Sequence, residues 1–73
     1  GKKEKKMLIK RFKIQIINQD VATHLYNKGE PIQWIIAANS MESAWRKFVT
    51  QRFGVLKPNS ADYDVSLHSV TSN

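Results

Sequence analysis

Residues 32–54 read IQWIIAANSMESAWRKFVTQRFG, and a change of rhythm inside this stretch decides the fold. Its first part, Ile32 to Ala37, is β-branched, aromatic and apolar on both parities, the composition of a strand covered on both faces. Pro31 stands before it, so a strand is predicted over 32–38. Asn39 and Ser40 then offer side-chain oxygens to the unpaired N–H groups of a helix start, and Glu42 puts negative charge in the first turn. From Met41 the apolar residues Ala44, Trp45, Phe48 and Val49 recur at three and four, one packing stripe, while Arg46, Lys47, Thr50 and Gln51 face outward. Arg52 suits the negative end of that helix, and Gly54 is placed for its left-handed cap.

Upstream, Phe12, Ile14 and Ile16 alternate with Arg11, Lys13 and Gln15, the period of two of a strand with one wet face, predicted over 8–18. The connection through Asn27-Lys28-Gly29 reads as a loop or a hairpin end, with the alternation of Val21, Thr23 and Leu25 suggesting that the first strand bends and resumes. Downstream, Lys57-Pro58-Asn59-Ser60 is a loop, and Tyr63, Val65 and Leu67 alternate with Asp62, Asp64, Ser66 and His68 to predict a third strand over 62–70. The expected fold class is α+β: a three-stranded sheet with one helix packed on one face, in the order β-β-α-β.

A chain of 73 residues holds one small domain, here expected over 8–73 after a basic, flexible arm over 1–7. Without cysteine it has no disulfide and no thiolate metal site, which fits a reducing, cytoplasmic setting. The longest apolar run, Trp34 to Ala38, is far too short to span a bilayer, and no apolar block follows the first charged residues as in a signal peptide. The net charge of +6 is unevenly placed: Lys2, Lys3, Lys5, Lys6, Lys10, Arg11 and Lys13 oppose only Glu4, whereas beyond Lys13 five basic and five acidic residues balance. Such a run attracts phosphates or an acidic protein surface, and it also serves as a solubilising tail.

Catalytic patterns are missing. His24 and His68 stand far apart with no ligand spacing around them, the serines lie in no nucleophile elbow, and Gly1, Gly29 and Gly54 form no phosphate loop. The chain therefore reads as a binding module, not an enzyme, with no cofactor or metal expected. Asp62 and Asp64 share a face if the third strand starts at 62, where an acid-base pair competes with the plainer reading of a charged strand edge. The residues expected to contact a partner are Lys2, Lys3, Lys5, Lys6, Lys10, Arg11 and Lys13, with Tyr26, Lys28, Arg46 and Lys47. Trp34, Trp45, Phe12, Phe48 and Phe53 are expected in the core.

Three segments carry a resemblance: Phe12-Lys-Ile-Gln-Ile-Ile, Ile32 through Ser40 running into Glu42-Ser-Ala-Trp, and Asp64-Val-Ser-Leu. Together they resemble the small phage proteins that inhibit bacterial RNA polymerase, and secondarily the archaeal ribosomal protein LX. The first resemblance implies a strand-strand-helix-strand fold and a phage- or mobile-element-type accessory protein. Such a protein docks on a larger nucleic-acid-handling machine. The basic arm and first strand offer an alternative, a module that binds DNA or RNA directly. A third reading is an oligomer built by pairing of edge strands.

Overall fold

The computed structural model describes residues 8–72. Strand β1 (Leu8–Ile16) leads to helix α1 (Gln19–Asn27), strand β2 (Gln33–Ala37), helix α2 (Met41–Phe53), a 3-10 turn at Ser60–Asp62 and strand β3 (Tyr63–Ser72). The class is α+β with a three-stranded antiparallel sheet in the order β2-β1-β3. The element order is β-α-β-α-β, which corrects the expected β-β-α-β and adds a second helix.

That helix occupies the segment expected to be a loop or resumed strand. Asn18 caps it, its Oδ1 accepting from the N–H of Asp20 at 3.0 Å and of Val21 at 3.3 Å. At the far end Gly29 takes φ 77°. There the N–H of Glu30 donates to the Leu25 carbonyl at 2.9 Å and that of Gly29 to the Tyr26 carbonyl at 3.0 Å, the paired closure of a Schellman cap. Val21, Thr23 and Leu25 fit a period of two, but half-buried Val21, Ala22 and Leu25 fit a helical stripe equally well. Over so short a segment the caps decide the outcome.

Helix α2 starts and stops where the spacing predicts, with Ser40 Oγ accepting from Ser43 N–H at 3.1 Å and Gly54 at φ 62°. It touches all three strands and buries Ala44 and Phe48 against the face of β1 that holds Phe12, Ile14 and Ile16. Met41, placed in the stripe by its spacing, is exposed, because the chain is still leaving the sheet there.

Aromatic rings fill the contact. Phe48 lies 4.8 Å from Trp34, 5.6 Å from Trp45, 5.4 Å from Tyr63 and 5.8 Å from Phe53, measured between ring centroids. Most of these pairs are tilted or edge-on, the arrangement the ring quadrupole favours. The Arg52 guanidinium stacks 4.7 Å above Trp34, a cation–π contact that also closes the C-terminal end of α2 over the sheet.

Burial raises the Tyr63 phenol above its ordinary pKa, an effect opposed by the charge of Arg52 and reinforced by Asp62. The folded state therefore keeps this proton to higher pH than the unfolded chain. The linkage adds nothing below the unfolded phenol pKa of about 10, and stability falls as pH rises from there toward the folded value. In Tyr63→Phe that part of the alkaline loss should vanish. Urea midpoints for both proteins at neutral pH and above pH 10 test this, and parallel declines would exclude the linkage.

Two other sequence expectations change. β2, read as covered on both faces, is an edge strand whose Gln33, Ile35 and Ala37 side chains are exposed. β1, with a neighbour on each side, is the central strand. Asp62 belongs to the 3-10 turn rather than to β3, so it does not share a strand face with Asp64. Its Oδ1 instead accepts from Asn18 Nδ2 at 3.0 Å, tying the start of α1 to the entrance of β3.

Candidate functional site

The register of the sheet fixes where the basic residues stand. Arg11, Lys13 and Gln15 pair with Ala37, Ile35 and Gln33 of β2 on one side and with Ser69, Ser66 and Asp64 of β3 on the other. These side chains occupy the face opposite α2, since successive residues of a strand point to opposite faces. The result is a face that is polar across β1 and β3, with Arg11 and Lys13 along its middle, and that carries the exposed Ile35 and Ala37 beside Gln33 on β2. Arg11 Nη1 donates to Thr71 Oγ1 at 3.0 Å, which holds the guanidinium across β1 and β3.

Lys10 has the other parity and meets α2 at the end of the sheet. With Asn39, Ser43, Lys47 and the backbone of Ala37 and Ala38 it lines a shallow depression of about 270 Å³. The Lys47 ammonium donates to the Ala37 carbonyl at 2.8 Å, so this residue, read from its spacing as simply outward, also covers part of the β2 edge. The N–H of Ala38 donates to the Lys10 carbonyl at 3.0 Å, which keeps Lys10 next to Lys47. The N-terminal part of β1, the end of β2 and α2 thus meet at one end of the domain, with Lys10 and Lys47 on the helix side of the sheet and Arg11, followed by Lys13 nearer the middle of the strand, on the opposite face.

Not all the expected contact residues gather there. Arg46 lies on the first half of α2 but pairs with Glu42 at 3.7 Å, an exposed i,i+4 pair of small energetic value. Tyr26 and Lys28 lie at the end of α1, toward the opposite end of the sheet. There Lys28 meets Glu30 at 3.7 Å and Glu30 meets Arg52 at 3.9 Å. Tyr26 is 73% exposed. Lys2, Lys3, Lys5 and Lys6 lie outside the described residues, as does the proposed arm over 1–7 of which they are part.

The opposite end of the sheet carries Asp20, Glu30, Asp62 and Asp64 beside Lys28 and Arg52. The described domain is therefore polarised along its strands, a property hidden by the near balance of charge after Lys13. Sequence reasoning also missed Ser66, Ser69 and Thr71 as neighbours of Arg11 and Lys13. No signal local to either segment says that β3 pairs beside β1.

Among the described residues, no group of three His, Asp or Glu side chains is arranged to hold a metal ion. No helix of the described residues is long and apolar enough to cross a membrane. No family model, curated protein or solved structure matches the chain.

Proposed function

We propose that this protein is a non-enzymatic binding module that contacts the phosphate backbone of a nucleic acid through its basic pole. The observation that carries the reading is that one end of a polarised domain presents Lys10 and Lys47 on the helix side of the sheet and Arg11, with Lys13 further along β1, on the other. A nucleic-acid backbone passing this end meets Lys10 and Lys47 on one side of the sheet and Arg11 on the other. Their binding gains entropy from the counterions released. The lysine run preceding Leu8 leads directly into the same end of β1 and would lengthen the contact.

The polar face beside the pole suits such a role. Gln15, Gln33, Ser66, Ser69 and Thr71 offer neutral hydrogen-bonding groups around Arg11 and Lys13, while the aromatic rings sit on the other face, packed against α2. A surface of this kind grips backbone rather than stacking bases, so the reading includes little sequence preference. The setting that fits is an accessory protein, phage- or mobile-element-type, working on a nucleic-acid-handling machine in the cytoplasm. There the basic pole holds the nucleic acid and the rest of the surface stays free for protein contacts.

Binding to a labelled DNA duplex and to a single strand, measured over a series of salt concentrations, tests the reading. Affinity should fall steeply and linearly on a log–log scale for both. A protein that binds neither at low salt, yet is captured on a purified nucleic-acid enzyme after nuclease treatment, would replace this reading with protein docking.

A further inference from the structure

Among the described residues the sheet has two unpaired edges, β2 and β3, and they differ. Antiparallel pairing makes alternate residues turn their backbone groups toward a neighbour or away from it. On β2, Ile32 accepts from Ile16 N–H and Ala38 donates to Lys10, so Gln33, Ile35 and Ala37 turn theirs outward. That edge is short, begins just after Pro31, and has the Ala37 carbonyl occupied by Lys47. These are the devices by which proteins discourage strand addition.

Among the described residues the β3 edge is twice as long, no side chain occupies its outward carbonyls, and its one irregularity is a bulge. The Asp62 carbonyl accepts from Ile17 N–H, and Asp64 and Ser66 follow it in facing β1. Val65 and Leu67 therefore direct their backbone groups outward. A bulge between the partners of Arg11 and Phe12 inserts His68, and beyond it Ser69 and Thr71 face β1, leaving Val70 and Ser72 outward. This strand is ten residues long, its only carboxylate is Asp64, and it exposes Leu67 by 54% and Val70 by 46%.

We infer that β3 pairs with β3 of a second copy of this chain, antiparallel and two-fold symmetric, joining two sheets into one of six strands. A register centred on the bulge meets these constraints and covers both exposed apolar residues, Leu67 and Val70. With the axis between His68 and Ser69, Leu67 stands opposite Val70 of the second copy and Val65 opposite Ser72. Both pairs are of outward-facing residues, so both complete hydrogen-bonded rungs, and the two-fold repeats them. Leu67 and Val70 of both copies then form one apolar cluster on the helix side. Ser66 meets Thr71 of the second copy on the polar side, no two carboxylates come together, and the bulge interrupts the new ladder only at the axis.

The symmetry places both polar faces on the same side. Arg11 lies opposite Ser69, next to the axis, so the two Arg11 Cα atoms sit about 14 Å apart, three strand spacings. The dimer does not depend on the nucleic-acid reading, but it would double the cationic surface that reading uses.

Sedimentation equilibrium of the full chain measures the mass directly. The expected result at high concentration is twice the 8.4 kDa chain mass, with Leu67→Lys/Val70→Lys reverting to the monomer and an unchanged far-ultraviolet circular dichroism spectrum. A second test uses the absence of cysteine. Ser66 and Thr71 of two copies form a non-hydrogen-bonded pair with Cα atoms about 4.5 Å apart, within disulfide reach. Oxidised Ser66→Cys/Thr71→Cys should run as a covalent dimer on a denaturing gel, whereas either single variant, whose cysteines lie five residues out of register, should not. A wild-type chain that stays monomeric at millimolar concentration and a double-cysteine variant that does not cross-link would overturn the inference, leaving this edge free or open to another protein's strand. A dimer that survives Leu67→Lys/Val70→Lys would overturn it too, because the copies would then meet elsewhere.

Discussion

Phe48→Ala should strip this protein of a large part of its stability at 25 °C. Phe48 is 1% exposed and is the ring that Trp34, Trp45, Phe53 and Tyr63 share. Its removal therefore takes away packing from β2, β3 and both halves of α2 together. Core Phe→Ala changes cost about 3–5 kcal/mol, against a total for 73 residues of roughly 4–11 kcal/mol on the usual per-residue range. Between about a quarter of the margin and all of it is lost at one position. The neighbouring rings cannot close the gap, because Trp34 is also held by the Arg52 guanidinium and Tyr63 begins a strand paired along β1.

Urea unfolding followed by tryptophan fluorescence measures the effect, since both tryptophans contact Phe48. Phe48→Leu should keep a cooperative transition at a lower midpoint. Val55→Ala, at a side chain 95% exposed, should shift it by no more than about 0.5 kcal/mol. An equal response at 48 and 55 would mean that the aromatic cluster does not hold the domain together.

What was legible in the sequence divides along a physical line. Elements whose identity rests on local periodicity and caps came through: α2, with Ser40 and Gly54 at its ends, and the alternating strands β1 and β3. Helix α1 was missed although Asn18, Asp20 and Gly29 are all local signals, because the apolar residues between them fit both periods. The position of β2 was misread for a different reason. Apolar side chains on both parities fit a covered strand, but Ile35 is left exposed at an edge, and neighbours in a sheet are chosen by packing partners that lie elsewhere in the chain. β1, whose outer face reads polar, is nevertheless central. The same limit applies to the candidate site. Lys10, Arg11 and Lys13 were visible as charges on one strand, but the meeting of Lys10 with Lys47, and the separation of all three from Tyr26 and Lys28, needed the register and the crossing of α2.

Lys10→Gln/Arg11→Gln/Lys13→Gln should weaken binding to duplex DNA by roughly a hundredfold at 0.15 M salt, while leaving the fold intact. Each phosphate contact contributes about 0.9 to the slope of log affinity against log salt. Three lost contacts thus flatten that slope by about 2.7, and the variant and wild-type lines converge near 1 M. The fold should survive because the ion pairs seen among the described residues, Lys28–Glu30, Arg46–Glu42 and Arg52–Glu30, include none of the three. The one specific bond lost, from Arg11 to Thr71, is exposed and contributes little. Tyr26→Ala/Lys28→Gln, at the other end of the sheet, is the comparison: it removes an exposed ring and one cation, against three, and should leave the slope unchanged. Fluorescence anisotropy of a labelled duplex, titrated at four or more salt concentrations, reads both effects. The pattern separates the possible outcomes, because a general loss of positive charge lowers affinity wherever the charge is removed, whereas a pole built by β1 and α2 responds only at its own residues. Equal flattening per charge removed, about 0.9 for Lys28→Gln against about 2.7 for the triple variant, would reduce the proposal to nonspecific attraction, and a steep slope that survives the triple substitution would place the contact in the lysine run before Leu8.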